Sequence, residues 1–175
     1  MRKLFQTKLL SLLALAFLVS SVAYAQPNGT KNLPSPRDSV MGTVAGAHVK
    51  IWYGSPSVKG RKIFGAQEPW GKVYRAGANE ATQFTTDKDL TIGGKTLPAG
   101  TYAFFVIPME NGDWTVIFNK TAKQWGAFKY DEKQDQLRTV VKVKKIPNQE
   151  RLVYVLNKNG FAMKWETTEV PVMVK

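Results

Sequence analysis

The sequence predicts an all-β fold, an antiparallel β-sandwich of jelly-roll or immunoglobulin-like type with about 8–10 strands and at most one short helix. Period-two alternation of apolar and polar residues dominates the chain beyond residue 39, and helical periodicity is nearly absent. Turn signals recur about every 8–12 residues. The segments between them are rich in β-branched and aromatic residues.

The elements follow in chain order. His48, Lys50 and Trp52 alternate with Val49, Ile51 and Tyr53. Lys72-Val73-Tyr74-Arg75 reads as a strand, interrupted by Ala76-Gly77-Ala78-Asn79-Glu80 and resumed by Ala81 to Thr85. Thr101 to Ile107 is a β-branched and aromatic run ended by Pro108, Asn111-Gly112-Asp113 supplies a turn, and Trp114 to Phe118 returns, which is a hairpin pattern. The segment from Thr121 to Gln136 holds the one candidate for helix, a single exposed turn at Asp131-Glu132-Lys133. Leu137, Thr139, Val141 and Val143 then face away from Arg138, Lys142 and Lys144, with a turn expected at Pro147-Asn148. Leu152, Tyr154 and Leu156 alternate with Arg151, Val153 and Val155. Asn157-Lys158-Asn159-Gly160 turns the chain, Phe161, Met163 and Trp165 alternate with Ala162, Lys164 and Glu166, and Val170 to Val174 closes the domain. One-sided alternation predicts sheets with one wet and one dry face, packed dry face to dry face.

The chain has 175 residues, 25 Lys and Arg against 13 Asp and Glu, and a formal net charge of +12. No cysteine is present, which excludes disulfides, cysteine nucleophiles, Fe–S clusters and thiolate zinc sites. One histidine excludes any site that needs two. Arg2, Lys3 and Lys8 precede an apolar run from Leu9 to Val19 and an Ala23-Tyr24-Ala25 ending. This is the pattern of a secretory signal peptide, with cleavage expected after Ala25. The apolar run is short for a membrane anchor, which needs about 20 residues, and no later stretch is long enough to span a bilayer. Residues 26–38, with Pro27, Gly29, Pro34 and Pro36, read as a flexible lead-in, and 39–175 as one sandwich domain. Export makes nucleic acid an unsuitable partner. The basic balance instead suits an anionic envelope component, or simply solubility.

The segment from Gly54 to Thr82 differs from the rest. Residues 54–71 carry four Gly, two Pro and three cations, with Ile63, Phe64 and Trp70 as apolar pins. A connection longer than about 12–15 residues without regular structure is usually functional or disordered, and the pins favour an ordered one. Lys59, Arg61 and Lys62 stand beside glycines whose amides can cradle an anion, or form a solvated cationic loop. Arg75 and Glu80 flank a small-residue turn that brings them within salt-bridge reach. They form either a corner clamp shaped by Asn79 or a ligand site in which Arg75 grips an anionic or hydroxylated group. Trp70, Tyr74, Trp125 and Tyr130 lie in loop-like contexts, where such rings stack on sugar faces or plug the ends of a sandwich.

The strings Tyr53-Gly54-Ser55-Pro56-Ser57-Val58-Lys59-Gly60-Arg61-Lys62-Ile63-Phe64-Gly65, Tyr74-Arg75-Ala76-Gly77-Ala78-Asn79-Glu80-Ala81-Thr82 and Leu97-Pro98-Ala99-Gly100-Thr101-Tyr102 resemble the DUF2911 family of secreted bacterial proteins of unknown function. Trp125-Gly126-Ala127-Phe128-Lys129-Tyr130-Asp131, followed by Asp135 and Arg138, is similar to it as well. The likeness spans residues 35–170. It departs at Gly54-Ser55, where many members carry Ser-Arg, and at Trp70 and Tyr74, where Tyr and Trp are usual. The resemblance implies an exported protein and carries over no catalytic residue.

Other chemistries find little support. His48 lies mid-strand with no serine in a nucleophile-elbow context. Asp131 to Asp135 lacks the glycine and spacing of a calcium loop, so no metal is expected, and nothing in the sequence calls for a cofactor. The expected function is a non-catalytic binding module for a glycan or another envelope component, using Lys59, Arg61, Trp70, Tyr74, Arg75, Asn79, Glu80 and Trp125. The alternatives are a small cofactor-independent hydrolase, with Glu80 or Asp135 beside Arg75, and a structural or assembly protein.

Overall fold

The computed structural model describes residues 34–175. The expected leader, residues 1–25, and the first part of the lead-in lie outside the described residues.

Among the described residues, ten strands form two antiparallel layers, with β-sandwich character. In chain order they are β1 (Arg37–Val44), β2 (Ala47–Gly54), β3 (Thr82–Thr86), β4 (Leu90–Ile92), β5 (Lys95–Leu97), β6 (Gly100–Ile107), β7 (Trp114–Asn119), β8 (Asp135–Val141), β9 (Lys144–Asn157) and β10 (Gly160–Met173). The first layer is a six-stranded sheet in the order β1-β2-β3-β6-β7-β8. The second is built on the long β9–β10 hairpin. The short β4–β5 hairpin joins its free end where Thr91 and Lys175 exchange backbone hydrogen bonds of 3.0 and 2.9 Å. On the opposite edge, Ser57 bridges Arg151 of β9. The single helical element among the described residues is the 3-10 turn Glu132–Gln134, N-capped by the Asp131 side chain.

Alternation explains the core. Along β2, Ala47, Val49, Ile51 and Tyr53 are buried while His48 and Lys50 are exposed. Phe161 of β10 meets Phe84 of β3 and Phe104 of β6 at ring-centroid distances of 5.1 and 5.5 Å, and Phe84 meets Phe118 of β7 at 5.1 Å. Each such ring buries roughly 150–250 Å², so these aromatics supply much of the cohesion between layers.

Four expectations need correction. Pro147-Asn148 does not turn the chain, because β9 runs through it. Its pairing with β10 slips around Glu166 and Thr168, and a bulge of that kind accommodates a residue without an N–H. The reversal comes earlier, between Val141 and Lys144. Val170 to Val174 is likewise not a separate closing strand, since β10 continues from Gly160 to Met173. Lys72 to Arg75 makes no strand beyond one bridge, Tyr74 to Val106. The six-stranded sheet is also not simply wet on its outer face. Ala81, Ala103, Phe105 and Ile117 form a second small core there, covered by Val73, Ile107, Ala127 and Tyr130. This is why Tyr102 to Val106 are buried without alternation. The β4–β5 hairpin, closed by Gly93 and Gly94 in left-handed conformations, went unassigned in the sequence because each arm has only three residues.

Gly54 marks the closest approach of two backbones near the site. A Cβ there would stand 2.2 Å from the Ala78 carbonyl oxygen. Gly54→Ala is expected to destabilise the fold by about 2–3 kcal/mol, because the obstacle is backbone and cannot swing aside. Chemical denaturation checks this; an unchanged midpoint would show that the 76–80 turn is free to move away.

Candidate functional site

The odd segment is ordered. Ile63 and Phe64 are fully buried, and the chain around them closes on itself through Glu68 N–H to Ile63 O and Gly65 N–H to Glu68 O, both 2.9 Å. The Ile63 N–H donates to a Glu166 carboxylate oxygen at 3.2 Å, and the Lys59 N–H to a Glu150 oxygen at 3.0 Å. Both acceptors lie on the β9–β10 hairpin, so the segment is fastened to the second layer.

The adjoining turn is fastened from the inside. Tyr74 exchanges backbone hydrogen bonds with Val106 at 2.8 and 2.9 Å, which fixes Arg75 beside the sheet. Ala76 and Asn79 adopt left-handed backbone conformations, and a Cβ on Gly77 would meet the Thr82 hydroxyl at 2.7 Å. The Ala76 carbonyl accepts from the Thr82 hydroxyl at 2.9 Å and from the Tyr154 hydroxyl at 2.7 Å. The Tyr74 hydroxyl donates to Gly77 O at 2.9 Å. Burial pushes the Tyr74 and Tyr154 phenols well above their ordinary value, so both remain neutral donors.

Between segment and turn lies a cavity of about 160 Å³, lined by Ser57, Lys59, Arg61, Gln67, Glu68, Arg75 and Trp165, with the edge of the 77–78 turn. Two of these residues hold buried N–H groups that have no hydrogen-bond partner among the described residues, Arg75 Nε and Trp165 Nε1. Both groups are donors only. A buried donor without an acceptor costs about 1–3 kcal/mol. Both residues line the same cavity. Glu68 is the one carboxylate among the lining residues. Burial raises its proton affinity above that of an ordinary glutamate, and the nearby Arg75 charge acts in the opposite sense. The two form no ion pair within 4.0 Å. Trp165 is itself fixed, stacked on Tyr74 with centroids 6.1 Å apart and edge-on to Phe64 at 5.9 Å.

The residues singled out in the sequence divide into two groups. Lys59, Arg61 and Arg75 come together at the cavity. Arg61 spends part of its guanidinium on the carbonyls of Val58 and Ser57. The other five stand outside the lining. The expected Arg75–Glu80 ion pair does not form, because Arg37 of β1 reaches Glu80 instead. The Asn79 amide donates to Ser35 O at 3.1 Å, holding the entry to β1. Tyr74 is not a loop ring open to a sugar; it is buried and forms the floor behind Trp165. Trp70 closes the far end of the layers, stacked on Phe64 and lying where a Gly65 Cβ would be. Trp125 is exposed on a separate loop. Asp135, the other proposed carboxylate, is held by Arg138, Tyr130 and Asn119, far from any free role. The sequence did not point to Glu68, Gln67 or Trp165. Glu68 sits in the same glycine-punctuated segment and is legible as the lone acid of residues 54–71. Trp165 carried no signal beyond strand alternation. Among the described residues no three His, Asp or Glu side chains gather as a metal ion would require.

Two outcomes follow. Tyr154→Phe removes one donor from Ala76 O while Thr82 remains, so a loss of about 1 kcal/mol in urea denaturation is expected. An unchanged stability would mean that water replaces the phenol. Glu68 takes up a proton more readily in the folded than in the unfolded chain. Its contribution to stability is therefore present at acid pH and lost as pH rises through its folded-state titration. Glu68→Gln should raise Tm near neutrality by about 1–3 °C and leave it unchanged at acid pH. Calorimetry at the two pH values checks the difference, and a lower neutral Tm for the variant would show that the Arg75 attraction outweighs desolvation.

No match to a curated protein or to a solved structure was found. A family model, described as a protein of unknown function, matches residues 35–174, a span that contains the ten described strands, the turn that carries Arg75 and the cavity lining except Pro34. The chain belongs to the DUF2911 family.

Proposed function

We propose that the protein is an exported binding module whose cavity takes the acceptor-rich end of an envelope ligand, an acidic or hydroxyl-dense sugar unit. The observation that carries this reading is the pair of buried, unpartnered donors, Arg75 Nε and Trp165 Nε1, on residues lining one cavity. A carboxylate or hydroxyl oxygen is the kind of acceptor that such donors take. Lys59 and Arg61 at the rim favour a negative ligand, and Glu68 accepts from a sugar hydroxyl or, when protonated, donates to one. The volume is close to that of an engineered cavity of roughly 150 Å³ that admits one benzene ring. It suits one ring or one anionic group rather than an extended chain.

Hydrolysis is the second reading, and the raised proton affinity of Glu68 in a cleft favours it. Glycoside cleavage needs a second carboxylate across the site, and the lining supplies only Glu68. Binding therefore accounts for more of the geometry.

Glycan-array screening of the protein, followed by calorimetric titration of the hits, tests the proposal. Arg75→Ala and Trp165→Phe should each weaken binding by about tenfold or more, the second by removing one N–H while keeping the ring. Trp70→Ala should leave affinity unchanged. A silent array, or full binding by Arg75→Ala, would remove the cavity from consideration. Turnover of a bound glycan that stops in Glu68→Gln would favour hydrolysis instead.

A further inference from the structure

The connection between β7 and β8 carries the two most exposed aromatic rings of the described structure. Trp125 is 61% exposed and Phe128 is 85% exposed. They are not displayed by a loose loop. The Lys120 N–H donates to Gln134 O at 2.9 Å across the base, and the Asn119 amide donates to Asp131 O at 2.9 Å. The middle is tied to the 79–81 turn by Gly126 N–H to Asn79 O at 3.0 Å and Ala81 N–H to Gln124 O at 2.9 Å. Tyr130 anchors the far side edge-on against Phe105, with centroids 5.2 Å apart. The fold thus fixes the backbone on both sides of the rings and still leaves the rings in water, where a paired apolar surface is costly.

The charge around the rings is net positive, four lysines against Asp131 and Glu132 over residues 120–133. Lys120, Lys123, Lys129 and Lys133 are exposed, and none is in an ion pair with a described residue. Asp131 accepts the backbone N–H of Lys133 at 3.0 Å, and Glu132 pairs with Arg138 at 2.8 Å. A rigid tip with an indole, a phenyl ring and unneutralised lysines matches an anionic lipid surface. The rings enter the boundary between headgroups and acyl chains while the lysines stay at the phosphates. Phe128, the more exposed ring, has no polar edge, which fits lipid better than a hydrated polysaccharide. We propose that the 120–133 loop is a docking surface for an anionic phospholipid bilayer. This assignment uses none of the cavity residues and stands or falls separately from the ligand.

Vesicle co-sedimentation tests it, with phosphatidylglycerol–phosphatidylcholine vesicles against phosphatidylcholine alone. Wild type and variants are compared in the same form of the chain, so any contribution of residues 1–33 cancels. Wild type should bind the anionic vesicles about tenfold better, and added salt should weaken the binding. The Trp125→Ser/Phe128→Ser double variant and the Lys123→Glu/Lys129→Glu double variant should each lose about tenfold at unchanged Tm, since all four side chains are exposed. Bilayer-brominated lipid should quench the fluorescence increment that Trp125→Phe removes. Equal binding to both vesicle types, full binding by either double variant, or no quenching of the Trp125 increment would overturn the proposal. So would displacement by a soluble acidic polysaccharide without any quenching, which would reassign the lysines to that polymer.

Discussion

The Ala76 carbonyl receives two hydroxyls, Thr82 from the first residue of β3 and Tyr154 from the C-terminal part of β9. One acceptor thereby joins the six-stranded sheet, the β9–β10 hairpin and the left-handed turn between them. Both donors are buried and cannot exchange this partner for solvent without opening the layers. Arg75 immediately precedes this carbonyl, so its backbone is fixed on one side by this junction and on the other by the Tyr74–Val106 pair. The close backbone approach of Gly54 and Ala78 on the other side leaves the turn no room to relax.

A site placed this way differs from one displayed on a mobile loop. The polar cost of leaving two N–H groups without acceptors is sustained by the surrounding packing of Phe64, Tyr74 and Trp165, three rings in mutual contact beneath the cavity. Such a wall keeps its geometry before anything binds, which lowers the ordering cost of association. The loop between β7 and β8 follows the same logic on the outer face of the sheet. Its backbone hydrogen bonds to Asn79 and Ala81 draw it against the turn that carries Arg75, and Arg75 Nη1 lies 3.9 Å from where a Gly126 Cβ would stand. Cavity and aromatic tip are thus built on neighbouring residues of one rigid corner.

Alternation and turn residues determined the all-β class, the Thr101–Phe118 hairpin, the Asn157–Gly160 turn and the single short helical turn. These features are encoded by neighbours in the sequence, where side-chain period and turn chemistry act locally. The same local information marked the 54–82 segment as ordered and unusual, and the family resemblance by its strings. It drew attention to Lys59, Arg61 and Arg75, which the fold places at one cavity, because cations in a glycine-punctuated segment stand out against a strand pattern.

Partnership was decided only by the tertiary structure. Glu80 lies five residues from Arg75 in sequence, yet it meets Arg37, because the edge strand β1 passes beside the turn. Trp165 reads as one more inward-facing strand residue. It becomes a cavity wall only because a segment about a hundred residues earlier packs against it and leaves its indole N–H without an acceptor. Pro147 looks like a chain reversal, and a bulge in a long hairpin absorbs it. Period and turn chemistry fix what a residue does to its own backbone; which distant group it meets depends on how two sheets and an irregular ribbon pack, and that is a property of the whole chain.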